Sequence, residues 1–329
     1  MPDPLVVAVV GPTAAGKSDL AVALAQHLSG EVVNADAMQV YRGMDIGTAK
    51  IGTAERHGVP HHLLDILAVT ETATVAEFQE LARQAIDGCL TRQRTPILAG
   101  GSALYIRAIL DDFVFPGTDP VVRARLEGEL EAEGSGALHQ RLKDRDPKAA
   151  EQILPSNGRR IVRALEVIEI TDAPYAATLP DHHYVYPGAV QLGLDVPRPV
   201  LDERIGRRVD RMFEAGFVDE VRGLLNKGLI EGRTANRALG YSQVIALLNG
   251  ELDETEARER TAQATRRFAR RQDSWFRKDQ RIMWLQYDDP DLVEKALQVI
   301  AEGNRRGTHG VVGVEPGPRT DTGAVDARG

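Results

Sequence analysis

Apolar and polar positions along the chain fall into blocks of two different periods. Leu5–Val10 is an unbroken, β-branched run that closes on Gly11, the pattern of a strand buried on both faces before a tight turn. Ser18–Leu28 repeats its apolar residues at helical spacing, Glu31–Ala35 reads as a second buried strand, and Thr74–Thr91 as another helix. A third strand fits Pro96–Ala99, ahead of Gly100-Gly101. Strands alternating with helices predict an α/β core: a parallel sheet flanked by helices, with ligands at the carboxyl ends of the strands.

After Leu110 the pattern changes. Asp119–Leu142, Pro147–Ile153 and Gly158–Ile170 are charged, helix-like segments with no apolar strand between them, which predicts a helical insertion domain. Alternation over Val190–Val196 returns the chain to the sheet, Leu201–Lys227 and Thr255–Lys278 read as long helices, and Arg281–Leu285 as the last strand. From Gly303 onward Gly, Pro, Thr and charge replace apolar periodicity, so a disordered tail is expected. The expected layout is a core over 1–112, a helical insertion over 113–187, the rest of the core with basic helices over 188–302, and a tail over 303–329.

Composition narrows the function classes. With 43% hydrophobic and 27% charged residues the chain is globular in character, and no apolar run approaches the roughly 20 residues of a membrane helix. The first strand follows the N-terminus with no basic region or cleavage pattern before it, so a cytoplasmic location without a membrane partner is expected. Cys89 is the only cysteine, which excludes an internal disulfide and a cysteine-rich zinc site. A formal net charge of -8 argues only weakly against nucleic acid, because Arg159–Arg163 and Arg266–Lys278 are strongly basic stretches.

Gly11-Pro12-Thr13-Ala14-Ala15-Gly16-Lys17-Ser18 matches the phosphate-loop pattern G-x-x-x-x-G-K-[ST], and it lies between a predicted strand and a predicted helix. Its glycines let backbone N–H groups converge on phosphate oxygens, Lys17 supplies a point charge, and Ser18 can place its hydroxyl on a magnesium ion. The core therefore reads as P-loop NTPase-like. The loop alone also suits an ATPase, a GTPase or a small-molecule kinase. A typical nucleotide hydrolase adds an acidic residue at the end of a buried strand, yet Pro96–Ala99 runs into Gly-Gly-Ser102. The acidic candidate is Asp36, at the end of the second strand; position alone allows a general base, a cap or a magnesium ligand. His61-His62 has no zinc-like pattern of further ligands nearby, and no metal role is assigned to it.

The run Asp36–Lys50, following this loop, resembles the bacterial tRNA dimethylallyltransferase (IPP transferase) family. Similar segments continue in order: Pro60–Asp65, Gly100–Tyr105, Arg159–Leu165, Glu214–Phe217, Leu239–Tyr241 and Arg271–Trp275. The resemblance implies that the loop cradles dimethylallyl diphosphate with Arg208 gripping the same diphosphate, and that magnesium sits on Ser18. It implies a general base at Asp36, with Lys17 and Ser18 also catalytic, acting on an adenosine amine beside the anticodon. It further places Asp36, Ala37, Met38, Gln39, Ser102, Arg123, Arg159, Arg160, Ile161, Val162, Arg163, Arg237, Gly240, Tyr241, Ser242, Arg270, Arg271, Gln272, Trp275 and Arg277 against the anticodon stem-loop. Ser102 and Ser242 depart from the family's commonest wording, which has threonine and a basic residue there. Arg204, four residues before Arg208 on a helix, shares its face. A cytoplasmic monomer is expected. Two other readings stay open: a small-molecule kinase using the same loop for ATP, and a nucleotide-dependent RNA-binding switch without covalent chemistry.

Overall fold

A computed structural model of the protein describes residues 3–175 and 182–307. Six strands, β1 (Leu5–Val10), β2 (Glu31–Asn34), β3 (His61–His62), β4 (Pro96–Gly100), β5 (Gly188–Asp195) and β6 (Ile282–Gln286), form one sheet in the order β3-β2-β4-β1-β5-β6. Every pairing is parallel, which is the α/β architecture expected from the alternation of apolar runs. β3 is two residues long and sits at the sheet edge, too short to leave a periodic signal.

Because both faces of the sheet are covered, its strands are apolar at successive positions rather than at alternate ones. Val6, Ala8 and Val10 pack on one face and Val7 and Val9 on the other, all fully buried. The first face is covered by α2 (Val75–Thr91), α3 (Ala103–Leu110), α7 (Arg198–Glu214), α8 (Phe217–Leu225), α9 (Tyr241–Leu248) and α10 (Glu254–Phe276). The second is covered by α1 (Lys17–His27) and α11 (Leu292–Gly307). Each fully buried Val or Leu side chain contributes about 1.5–3 kcal/mol relative to leaving it in water.

The insertion is built from α4 (Pro120–Arg145, kinked where Gly134 takes φ 81°), α5 (Pro147–Gln152) and α6 (Gly158–Thr171), which pack on one another around Leu126, Leu138, Leu142, Ile161 and Leu165. Asp119 starts α4 by accepting hydrogen bonds from the N–H groups of Val121 (2.8 Å) and Val122 (3.1 Å), with Pro120 in the first turn.

Two expectations are corrected. The single helix expected over Leu201–Lys227 is two, α7 and α8, because Gly216 takes φ 96° and turns the chain between them. Residues 303–307, expected in a disordered tail, belong instead to α11; the rest of that expected tail, 308–329, lies outside the described residues. Among the described residues no helix is long and apolar enough to cross a membrane.

Candidate active site

At the carboxyl ends of β1, β2 and β4 a cavity of about 500 Å³ opens. The phosphate loop forms one wall. Gly11 (φ 135°) and Gly16 (φ 102°) hold left-handed backbone on either side of the loop, and Gly16 caps the start of α1, so the first N–H groups of that helix face the cavity region. Lys17 folds back to donate from Nζ to the Pro12 carbonyl (2.7 Å). Burial holds its ammonium down to about 8; the Asp36 carboxylate opposes this shift and the Arg208 guanidinium adds to it. Asp36 and Arg208 thus share the electrostatic field of Lys17.

Arg208 reaches from α7 to the loop, donating to Thr13 Oγ1 (3.3 Å), and burial lowers its own affinity for its proton, with Arg211 the next influence. Arg204, one turn earlier, does not face the cavity. It donates to the Ala15 carbonyl (3.4 Å) and lies 4.4 Å from the centroid of the Tyr287 ring, bracing the loop from behind.

Asp36 lines the cavity from just beyond β2. Asn34 positions it: the Asp36 N–H donates to Asn34 Oδ1 (2.9 Å), and Asn34 Nδ2 donates to the carbonyls of Asp36 and Leu63 (3.1 Å each). The Asp36 carboxylate accepts from the Met38 N–H (2.9 Å), which fixes its rotamer. Ala37 and Met38 are half-buried against the core, whereas Gln39 lines the cavity and donates to the Thr48 carbonyl (3.2 Å). Val32, Ile46, Ala49, Ile51, Leu64 and Met212 add apolar surface to the same cavity lining.

The wall over residues 45–50 is held by a carboxylate that sequence reasoning missed. Glu220 of α8 accepts hydrogen bonds from three successive N–H groups, those of Asp45 (3.0 Å), Ile46 (2.6 Å) and Gly47 (3.1 Å). Tyr241 donates its hydroxyl to the same carboxylate (2.7 Å). Gly47 is needed for this approach, because a Cβ there would stand 2.2 Å from the Phe217 ring. No motif could have marked Glu220, since its partners, three backbone N–H groups and one phenol, are distant in sequence.

The other residues expected to touch RNA divide into three groups. Arg159, Arg160, Arg237, Ser242, Arg270 and Arg271 are exposed, Ser102 is half-buried with no capping bond from its side chain, and Trp275 is 44% exposed. Trp275 also rims a second cavity of about 270 Å³ with Ala103, Ile106 and Lys278. A second group is engaged within the fold. Arg123 and Arg163 both pair with Glu166, a carboxylate with no exposed surface, and Arg163 also donates to the carbonyls of Pro116 (2.6 Å) and Gly117 (3.0 Å). Burial would raise Glu166, but the two guanidiniums hold it below the usual carboxylate range. Arg277 pairs with Asp195 and Asp273 and lies 3.7 Å from the centroid of the Trp284 ring.

The third group is buried within the fold. Ile161 and Val162 belong to the insertion's own core, on the apolar face of α6. Tyr241 has no exposed surface, and Gly240 is buried beneath the same helix start. Gln272, on the inner face of α10, accepts from the Thr13 N–H (2.9 Å) and donates to the Gly101 carbonyl (2.7 Å), tying the phosphate loop to the end of β4.

The chain has relatives among known proteins. The family model described as IPP transferase matches residues 39–279. A tRNA dimethylallyltransferase of Streptomyces coelicolor is 66% identical over 302 residues, covering 91% of this chain and 96% of that protein. One from a Nocardioides species is 63% identical over 296 residues, covering 90% and 96%. Among solved structures, a full-length tRNA isopentenylpyrophosphate transferase from Bacillus halodurans superposes with a TM-score of 0.69 at 39% identity, covering 92% of this chain and 98% of that one. A eukaryotic dimethylallyltransferase acting on tRNA, at 24% identity, shares the fold with a TM-score of 0.76 over 94% of this chain and 81% of that one.

Proposed function

The chain belongs to the IPP transferase family, and we propose that it transfers the dimethylallyl group of dimethylallyl diphosphate to the exocyclic amine of the adenosine next to the anticodon. The acceptors are tRNAs that read codons beginning with U, and the products are isopentenyladenosine and diphosphate. The observation that carries this reading is one cavity lined by Lys17 of the phosphate loop and Arg208, by the apolar side chains of Ile46, Ile51, Leu64 and Met212, and by the Asp36 carboxylate. A diphosphate, a short hydrocarbon and an amine losing a proton need those three surfaces.

In the reaction the amine nitrogen forms a bond to the allylic carbon while the carbon–oxygen bond to diphosphate breaks, and the amine's proton passes to Asp36. The adenine amine is a poor nucleophile because its lone pair is delocalised into the ring, so a positioned carboxylate accepting the proton lowers the barrier. Negative charge grows on the leaving diphosphate, where Lys17, Arg208 and the N–H groups of the loop stabilise it. Magnesium suits a donor present: the exposed Ser18 hydroxyl, a hard oxygen, lines the cavity. Held by Ser18, it would neutralise charge on the diphosphate.

A base inside a stacked loop must be extruded to reach Asp36, and the exposed cations and Trp275 suit that task, the cations meeting phosphates and the indole meeting a base. Incubation with magnesium, radiolabelled dimethylallyl diphosphate and an anticodon stem-loop should label RNA bearing adenosine at the acceptor position and not RNA bearing guanosine. Turnover of ATP against small hydroxylated acceptors, with no label in RNA, would replace this reading by a kinase.

The lowered Lys17 gives a pH signature. Lys17 is a cation below about 8 and neutral above it, so affinity for the diphosphate is present at lower pH and lost as pH rises through that value. Between pH 7 and pH 9 kcat/KM for the prenyl diphosphate should fall about tenfold, following the protonated fraction of the free enzyme. In Lys17→Arg, whose cation does not titrate in this range, that inflection should vanish. A wild-type profile flat to pH 9 would show that Lys17 does not contact the diphosphate as a titrating cation.

A further inference from the structure

On the first face of the sheet, away from the phosphate loop, Glu31 of β2, His62 of β3 and Cys89 of α2 converge from three separate elements. Their ligand atoms all lie within 4.8 Å of one another. Cys89 Sγ stands 3.5 Å from Glu31 Oε2 and 3.8 Å from His62 Nε2, and Glu31 Oε2 to His62 Nε2 is 2.6 Å. A tetrahedral zinc site with ordinary bond lengths has ligand–ligand edges of about 3.3–3.6 Å. The two sulfur edges are already close to this, and the carboxylate–imidazole edge must open by about 0.7 Å.

A cation already occupies the mouth of this cluster. Arg92 Nη2 lies 2.7 Å from Glu31 Oε2 and 3.8 Å from Cys89 Sγ. Its side chain is 52% exposed and extends from the end of α2, so it can withdraw into solvent, whereas Glu31 and Cys89 are buried. We propose that Glu31, His62 and Cys89 form a site for a tetrahedral divalent transition ion such as zinc, with Arg92 holding its place when the ion is absent. The fourth position, on the side from which Arg92 approaches, is open to water.

The exchange balances in charge. Without the ion, the Glu31 carboxylate is offset by the Arg92 guanidinium. With it, a doubly charged ion is offset by the Glu31 carboxylate and a Cys89 thiolate, while Arg92 carries its charge to solvent. The thiol proton is released to the medium when the sulfur–metal bond forms, and the His62 ligand nitrogen gives its proton to the other ring nitrogen or to water. Burial and the neighbouring Glu31 push the free thiol up to about 11, so the thiolate forms only with the ion. The ion would clip the two-residue edge strand to β2 and α2. Directly after that strand come Leu63, whose carbonyl holds Asn34, and the cavity-lining Leu64.

Titration of chelator-stripped protein with cobalt(II) at pH 8, in buffer with a non-thiol reductant, tests the assignment. One equivalent should bind, with an intense near-ultraviolet thiolate-to-metal band that zinc abolishes; Cys89 is the only cysteine, so the band can arise nowhere else. His62→Ala should lose the band at matched cobalt concentration. Arg92→Ala, an exposed change that leaves the core intact, should bind cobalt at least about tenfold more tightly, as expected when a competing cation is removed. Absence of the band in the wild type, its persistence in His62→Ala, or unchanged affinity in Arg92→Ala would each overturn the proposal.

Discussion

Replacing Asp36 by asparagine is expected to slow prenyl transfer at least about a hundredfold, the lower range for loss of a positioned general base. Asparagine is a better probe than alanine because its side-chain oxygen can still accept from the Met38 N–H, so the turn after β2 keeps its shape. Binding of the prenyl diphosphate should change by no more than about threefold, since the loop, Arg208 and Gln272 stay in place. Removing the carboxylate also withdraws its support from the Lys17 ammonium, so the comparison belongs at pH 7 or below. Single-turnover labelling of the stem-loop separates the outcomes. A variant that binds diphosphate but does not transfer supports the base; equal loss of both would make Asp36 an organiser of the diphosphate site. Full transfer would remove it from the mechanism.

How much of this was legible in the sequence depends on whether the signal was local. The phosphate loop was, because strand, glycine spacing and helix lie within one stretch, and so was Asp36 at the end of the next strand. The basic face of α10 was partly legible: Arg270 and Arg271 are exposed as helical spacing implied, while Gln272, their neighbour in the same motif, points inward to the loop. Motif resemblance treats adjacent residues alike, but a helix separates them by 100° or so per residue. The same periodicity sets Arg159 and Arg160 outside and Ile161 and Val162 inside on α6. The break at Gly216 had a local signal in the glycine after the last helical turn. Glu220 and the Glu31, His62 and Cys89 cluster had none, because their partners are distant in sequence and meet only when the sheet forms.

The Glu220 clasp carries the other large effect. Glu220→Ala should lower unfolding free energy by on the order of 3 kcal/mol, because three N–H groups and a buried phenol lose a charged acceptor. Burial, and the carboxylate to which it donates, push the Tyr241 phenol far above its usual range, so it remains a donor at every accessible pH. Glu220→Gln keeps one acceptor oxygen and should lie between wild type and alanine. Because Asp45, Ile46, Thr48 and Ala49 line the cavity, loosening their backbone should also raise KM for the prenyl diphosphate, at least about tenfold if the wall loses its fixed shape. Urea unfolding and initial rates measure the two effects on the same protein. A double-mutant cycle decides whether Tyr241 acts through Glu220: Tyr241→Phe alone should cost about 1 kcal/mol, and little on the Glu220→Ala background. Additive losses would mean that Tyr241 serves the fold independently and that the clasp ends at the carboxylate.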